Sequence, residues 1–169
     1  GEASSLFADS LTSAQYGRER ETFLNDLSAK MSSATELPTI RELEGLWYEL
    51  QREMVAGSEV VSFNANVINL DGESENCVVT RVGLYNAICD GKYLEYIGSK
   101  GQYAFLGKQP EGRYVSSAKK LSNADPGDVV KFGVDPTGPV GGSLLANLIQ
   151  NPSLMERVNQ GREVGYIII

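Results

Sequence analysis

Four aspartates, Asp71, Asp90, Asp125 and Asp135, are the residues of this 169-residue chain whose type best suits acid–base chemistry or the binding of a hard cation. Each is followed by Gly or Pro, where aspartate serves as a turn residue, so their spacing reads as punctuation and not as a site. Gly138-Pro-Val-Gly-Gly-Ser143 precedes an apolar run and resembles a phosphate-cradling loop. It lacks the Lys-Ser or Lys-Thr ending and the full glycine spacing of a P-loop, and reads as a flexible strand-to-helix connection. Glu42, Glu44, Glu49 and Glu53 share one helical stretch and read as a solvated face. Histidine is absent, which excludes Ser-His-Asp and Cys-His nucleophile systems and His-containing zinc sites. Asn25-Asp-Leu27 and Asn123-Ala-Asp125 lack the Ser or Thr of a glycosylation acceptor. Tyr16, Tyr48 and Arg113 suit partner contact, yet nothing in the sequence lifts them above ordinary surface residues. The reading assigns no catalytic residue, no cofactor and no metal ligand, and expects a protein that is not an enzyme.

The elements that carry these residues are organised around Leu37–Val61. Pro38 ends what precedes it, and Thr39 with Glu42 spells a capping box. Ile40, Leu43, Trp47, Leu50 and Met54 then recur in alternating steps of three and four, one apolar stripe on a helix that Leu46 widens. Arg41, Glu42, Glu44, Glu49, Arg52 and Glu53 occupy much of the remaining surface. Gly57 follows the last apolar position, where a left-handed C-cap costs least. The stripe, with the chain's single Trp at its middle, is expected to pack across the sheet that follows. It also has coiled-coil spacing, over only about two heptads.

Two helices are expected before it, one over 2–16 and one from Arg18 to Met31 with Phe23, Leu24, Leu27 and Met31 on one face, separated at Gly17. Ser32–Thr35 reads as a linker. After it, Val60–Leu70 alternates as a strand through Val61, Phe63, Ala65 and Val67, and Asp71-Gly72 opens a turn. Asn76–Ile88 reads as one strand with Val78, Val82, Leu84 and Ile88 on one side, and Gly83 inside it marks a bulge or a close backbone approach. Asp90-Gly91 is a favoured hairpin turn, followed by strands over Lys92–Ile97 and Gln102–Leu106. Short turns require antiparallel neighbours, and Tyr85, Tyr93, Tyr96, Tyr103 and Phe105 suit cross-strand pairs. Arg113–Asn123 is helix-compatible with Tyr114, Ala118 and Leu121 aligned, and Val130, Phe132 and Val134 alternate as a fifth strand. Helices after Ser143 and after Pro152 complete the chain. The fold class is α+β: an antiparallel meander of about five strands packed against an amphipathic helix, with helical segments at both ends.

Apolar content of 41% and charged content of 22% are those of a globular chain, and the length fits one domain. The net charge of −7, with no basic run, argues against nucleic acid and anionic membrane surfaces. Nothing at the start of the sequence reads as a signal peptide, and no stretch has the length of a membrane span. The two cysteines, Cys77 and Cys89, would lie roughly 40 Å apart on one straight strand, at about 3.3 Å per residue. A bend near Gly83 brings them closer, so both the free and the paired state stay open. The final Gly165-Tyr-Ile-Ile-Ile169 reads either as a last strand or as the approach to an apolar segment beyond it.

Five blocks taken together carry a resemblance. They are Leu37–Met54, Arg81-Val-Gly-Leu-Tyr-Asn86, Gly91-Lys-Tyr-Leu-Glu-Tyr96, Val134-Asp-Pro136 with the leucine-rich stretch after it, and Gln160-Gly-Arg-Glu-Val-Gly-Tyr166. In set and order they resemble the N-terminal periplasmic extension of long, TtpC-type members of the MotA/TolQ/ExbB proton-channel family, from about residue 18 to the end. The resemblance implies a helical lead-in at 1–35 that continues a coiled coil, a compact domain at 36–162, and a connection at 163–169 towards a transmembrane helix. It implies a periplasmic location on the bacterial inner membrane. The implied partners are a TonB-type protein, ExbB- and ExbD-type subunits or an accessory periplasmic subunit. The implied role is coupling of the proton motive force to outer-membrane uptake of iron-siderophore complexes; the proton-path residues of the channel lie outside this chain. A different class of function, a self-contained soluble periplasmic protein that binds a small ligand, predicts a deep pocket lined by the tyrosines and a chain that ends at Ile169.

Overall fold

The computed structural model describes residues 6–33 and 37–135. The elements are α1 (Ser13–Ser32), α2 (Ile40–Gly57), β1 (Val60–Ile68), β2 (Ser74–Val82), β3 (Asn86–Cys89), β4 (Lys92–Ile97), β5 (Gln102–Phe105) and α3 (Gly112–Ser122). The expected helices after Ser143 and Pro152, the Gly138–Ser143 connection and the 163–169 segment lie outside the described residues.

The α+β class holds, but the sheet is a closed barrel and not an open antiparallel meander. Consecutive strands pair antiparallel, as the short turns demand. The barrel then closes through a parallel pair, Val67 opposite Tyr103 and Ile68 opposite Ala104. The parity of the strand number explains this. In an up-and-down order of five, the first and last strands run in the same direction, so the pair that removes both sheet edges must be parallel.

Five strands arise differently from the sequence expectation. Gly83, at φ +56°, ends β2, and a β-carbon there would stand 2.7 Å from the Gly57 carbonyl oxygen. The chain reverses over residues 83–85, so Asn76–Ile88 is two antiparallel strands with Val82 opposite Asn86. The reversal also sets which side of β2 is buried. Val79 and Arg81 are buried and Val78 is exposed, so the predicted alignment of Val78 with Ile88 is not realised. Residues 130–134 form no strand. They are fastened by side chains instead: Phe132 stacks on Tyr93 at 5.6 Å, and Tyr93 donates its hydroxyl to the Gly133 carbonyl at 2.9 Å. Asn86 Oδ1 accepts the Asp135 N–H at 2.8 Å.

The reversal also brings Cys77 and Cys89 together as a disulfide, with Cα atoms 6.3 Å apart. It lies in the barrel core with Val67, Val79, Ala87, Leu94 and Tyr103, where Tyr96 meets its partner Tyr103 edge-on at 5.4 Å. A second apolar layer of Ile88, Tyr93, Leu106 and Ala118 joins α3 to the outside of β3 and β4. The Asp90-Gly91 turn has both central residues at positive φ, 47° and 76°, the twist that a two-residue hairpin needs.

Helix α1 runs unbroken through Gly17, so the expected break lies earlier, at the turn over residues 9–12. Within residues 6–33, Leu11 is in the barrel core and its carbonyl accepts the Tyr103 hydroxyl. Helix α2 departs furthest from the expected packing. Its apolar stripe does not pack across the sheet.

Candidate interaction surface

Helix α2 is laid against α1 by its polar side. The two helices run antiparallel. Lys30 near the end of α1 holds Glu42 in the first turn of α2 at 3.0 Å, and Arg20 reaches Glu53 in the last turns at 2.8 Å. Glu53 is further held by the hydroxyls of Ser10 and, at 2.6 Å, Thr12. Arg20 lies 4.4 Å over the Phe7 ring, which covers its charge with aromatic surface. Glu49 is buried beside Arg52, 2.6 Å away, and the Arg52 guanidinium sits 4.5 Å from the Tyr16 ring centre. Gly45 belongs to the same contact, since a β-carbon there would stand 2.7 Å from the Phe23 ring. Of the four glutamates read as a solvated face, Glu49 and Glu53 are turned inwards and paired, and the partly exposed Glu42 pairs with Lys30. Glu44 alone matches that reading.

The capping box forms as the sequence spells it. Thr39 Oγ1 accepts the Glu42 N–H, and the Glu42 carboxylate accepts the Thr39 N–H at 2.6 Å. The backbone and hydroxyl of Thr39, then Lys30, hold the Glu42 carboxyl down at about 2. The other end is tied to the barrel by Arg81, which is wholly buried. Its Nη1 donates to the carbonyls of Ala56 at 2.6 Å and Gly83 at 2.7 Å, and Nη2 donates to Gln15 Oε1 at 3.2 Å. Ala56 is in the last turn of α2, so the guanidinium also faces the negative end of that helix.

With both ends and the polar side anchored, the apolar stripe points outwards. Ile40 is 78% exposed, Trp47 64% and Met54 69%, and Leu43 and Leu50 are also exposed. Leu37, Tyr48 and Val55 extend the patch on either side. Trp47, expected in the core, is therefore a surface residue. A helix that turns charge inwards and Trp, Met, Ile and Leu to the outside is arranged for contact with another molecule, because contiguous apolar surface of this size is rare on a chain without a partner. The spacing of the stripe was legible in sequence; its direction was not.

The turn aspartates are dispersed. Asp71, Asp90 and Asp125 are exposed in separate turns, while Asp135 is buried beside Asn86. Among the described residues no three His, Cys, Asp or Glu side chains converge as a metal site would require. Tyr16 lies half-buried under Arg52, Tyr48 is on the exposed face, and Arg113 pairs with Glu111 on the surface. Hollows among the described residues include two that tyrosines line. One of about 340 Å³ lies between α1 and the β4–β5 turn and presents Arg20, Glu21, Lys100 and Tyr96. The other, about 640 Å³ and open, lies between α3 and residues 129–133 and presents Tyr114 and Phe132. Each offers a single tyrosine. The phenols of Tyr93 and Tyr103 are sequestered in the core, where burial pushes Tyr93 up to about 12 and Tyr103 higher still. No helix among the described residues is long and apolar enough to cross a membrane.

No protein-family model, curated protein or solved structure matches this chain.

Proposed function

We propose that this chain is a non-catalytic docking domain of a periplasmic, inner-membrane energy-transducing complex of the TonB type. In this reading it contacts a TonB-type protein, ExbB- or ExbD-type subunits or an accessory periplasmic subunit, and helps couple the proton motive force to outer-membrane uptake. The observation that carries the docking role is the outward apolar face of α2, held in place by Arg20–Glu53, Lys30–Glu42 and Arg81. The Cys77–Cys89 disulfide supports an oxidising compartment such as the periplasm. The five-block resemblance supports the TonB setting.

The test is a photo-crosslinking residue at position 47 or 50 in the natural full-length protein, in whole cells, with fractionation alongside. Inner-membrane recovery is expected, with a crosslink to a transducer subunit or to a second copy of this chain within the transducer. Recovery in the soluble fraction, with no transducer subunit captured, would overturn the TonB reading.

A further inference from the structure

We infer that the outward face of α2 docks on a second copy of this chain, stripe against stripe. The inference deepens the docking reading and rests on it.

The geometry of the stripe is the first argument. Ile40, Leu43, Trp47, Leu50 and Met54 follow one another at three, four, three and four residues, the seam with which one helix interlocks with another of like spacing. A second copy supplies that spacing by symmetry, and the contact closes on itself instead of propagating. Charge is the second. With a net charge of −7, two copies repel each other over most of their surface. The outer side of α2 is where that repulsion is absent: its exposed charges are one base, Arg41, and one acid, Glu44. The acids Glu42, Glu49 and Glu53 are paired with Lys30, Arg52 and Arg20. The same inversion disfavours a membrane surface, where an interfacial helix needs basic residues beside its apolar face.

Area is the third. The eight exposed apolar side chains of α2 and its lead-in present on the order of 1,000 Å², comparable with the roughly 800 Å² that each partner contributes to a stable interface. The chain therefore associates through α2, with Trp47 and its neighbours at the centre, where aromatic anchors contribute most.

The experiment is sedimentation equilibrium of the 169-residue chain over about 1–100 µM, beside a Trp47→Glu/Leu50→Glu variant. Circular dichroism checks that the variant folds. The wild type is expected to form a dimer, and the variant to weaken it at least about tenfold with an unchanged spectrum. Disulfide trapping through Leu50→Cys is expected to give a covalent dimer that a control cysteine at the exposed Val129 does not. This arm decides the matter if the charged variant fails to fold. A wild type that stays monomeric throughout, a dimer that the variant leaves intact, or equal trapping at both positions overturns the inference. A monomeric wild type whose α2 crosslinks in cells to a different protein removes the second copy and leaves the docking role standing. A dimer formed by a protein recovered in the soluble fraction keeps the α2 contact and removes the TonB reading.

Discussion

Arg81 is the residue whose removal tests the architecture most directly. Its guanidinium is buried and serves two backbone carbonyls, Ala56 and Gly83, together with the Gln15 side chain. Replacing a buried ion pair by apolar residues is often neutral, because both charges leave together. That compensation is closed here, since the acceptors are main-chain groups that no substitution deletes. In Arg81→Met the aliphatic volume is kept and the donors are lost. Each stranded carbonyl costs about 1–3 kcal/mol, and loss of the cation from the end of α2 adds up to about 1 kcal/mol. The expected total is about 3–5 kcal/mol, the middle of the range these costs span and at least a fifth of the roughly 5–15 kcal/mol that holds a typical domain together. In urea, with a slope of about 2 kcal/mol per molar, this is a midpoint shift of about 2 M. Amide exchange should also quicken first in the last turn of α2, where Ala56 loses its anchor. A midpoint within about 0.5 M of wild type, at unchanged slope, would refute the argument that Arg81 ties α2 to the barrel.

Three further outcomes are expected. Removing the disulfide by Cys77→Ser with Cys89→Ser frees a short loop, with 12 residues of sequence separation, and should cost about 3 kcal/mol in chemical denaturation on the loop-entropy relation. Glu42 has its pKa depressed to about 2 against an ordinary 4.5, so its contribution to the start of α2 is complete above pH 4.5 and is lost as pH falls towards 2. Wild-type stability should therefore decline through that window more steeply than that of Glu42→Gln, followed by acid titration of helicity. Gly91→Ala forces a side chain to φ +76°, with its β-carbon 2.8 Å from Lys119 Cβ, and should lower stability by about 2–3 kcal/mol in thermal unfolding.

Much of the local structure was legible in the sequence because local chemistry produces it. The alternation of Val61, Phe63, Ala65 and Val67 made β1 with that side against the core, and Asp90-Gly91 made the hairpin turn that a positive φ pair requires. Thr39 with Glu42 started α2 where the capping box predicts. The aligned Tyr114, Ala118 and Leu121 do face one layer from α3. Residues 130–134 alternate like a strand, but Phe132 stacks on Tyr93 and the Gly133 carbonyl accepts its hydroxyl, with no strand ladder among them.

The direction of α2 was decided by tertiary structure alone. Periodicity identifies an apolar stripe but is silent on what stands opposite each side of the helix. Arg20 and Lys30, which turned the acidic side inwards, lie 33 and 12 residues from their partners Glu53 and Glu42. The pairing of Cys77 with Cys89 likewise waited on the reversal at Gly83, which a close approach to the Gly57 carbonyl reserves for glycine. Parallel closure of β1 on β5 follows from strand parity once that reversal has made five strands out of four. The sequence by itself determined most of the helix and strand segments and most of the turns, because these depend on neighbours a few residues away. The tertiary structure decided which faces are buried, because burial depends on contacts between residues far apart in the chain.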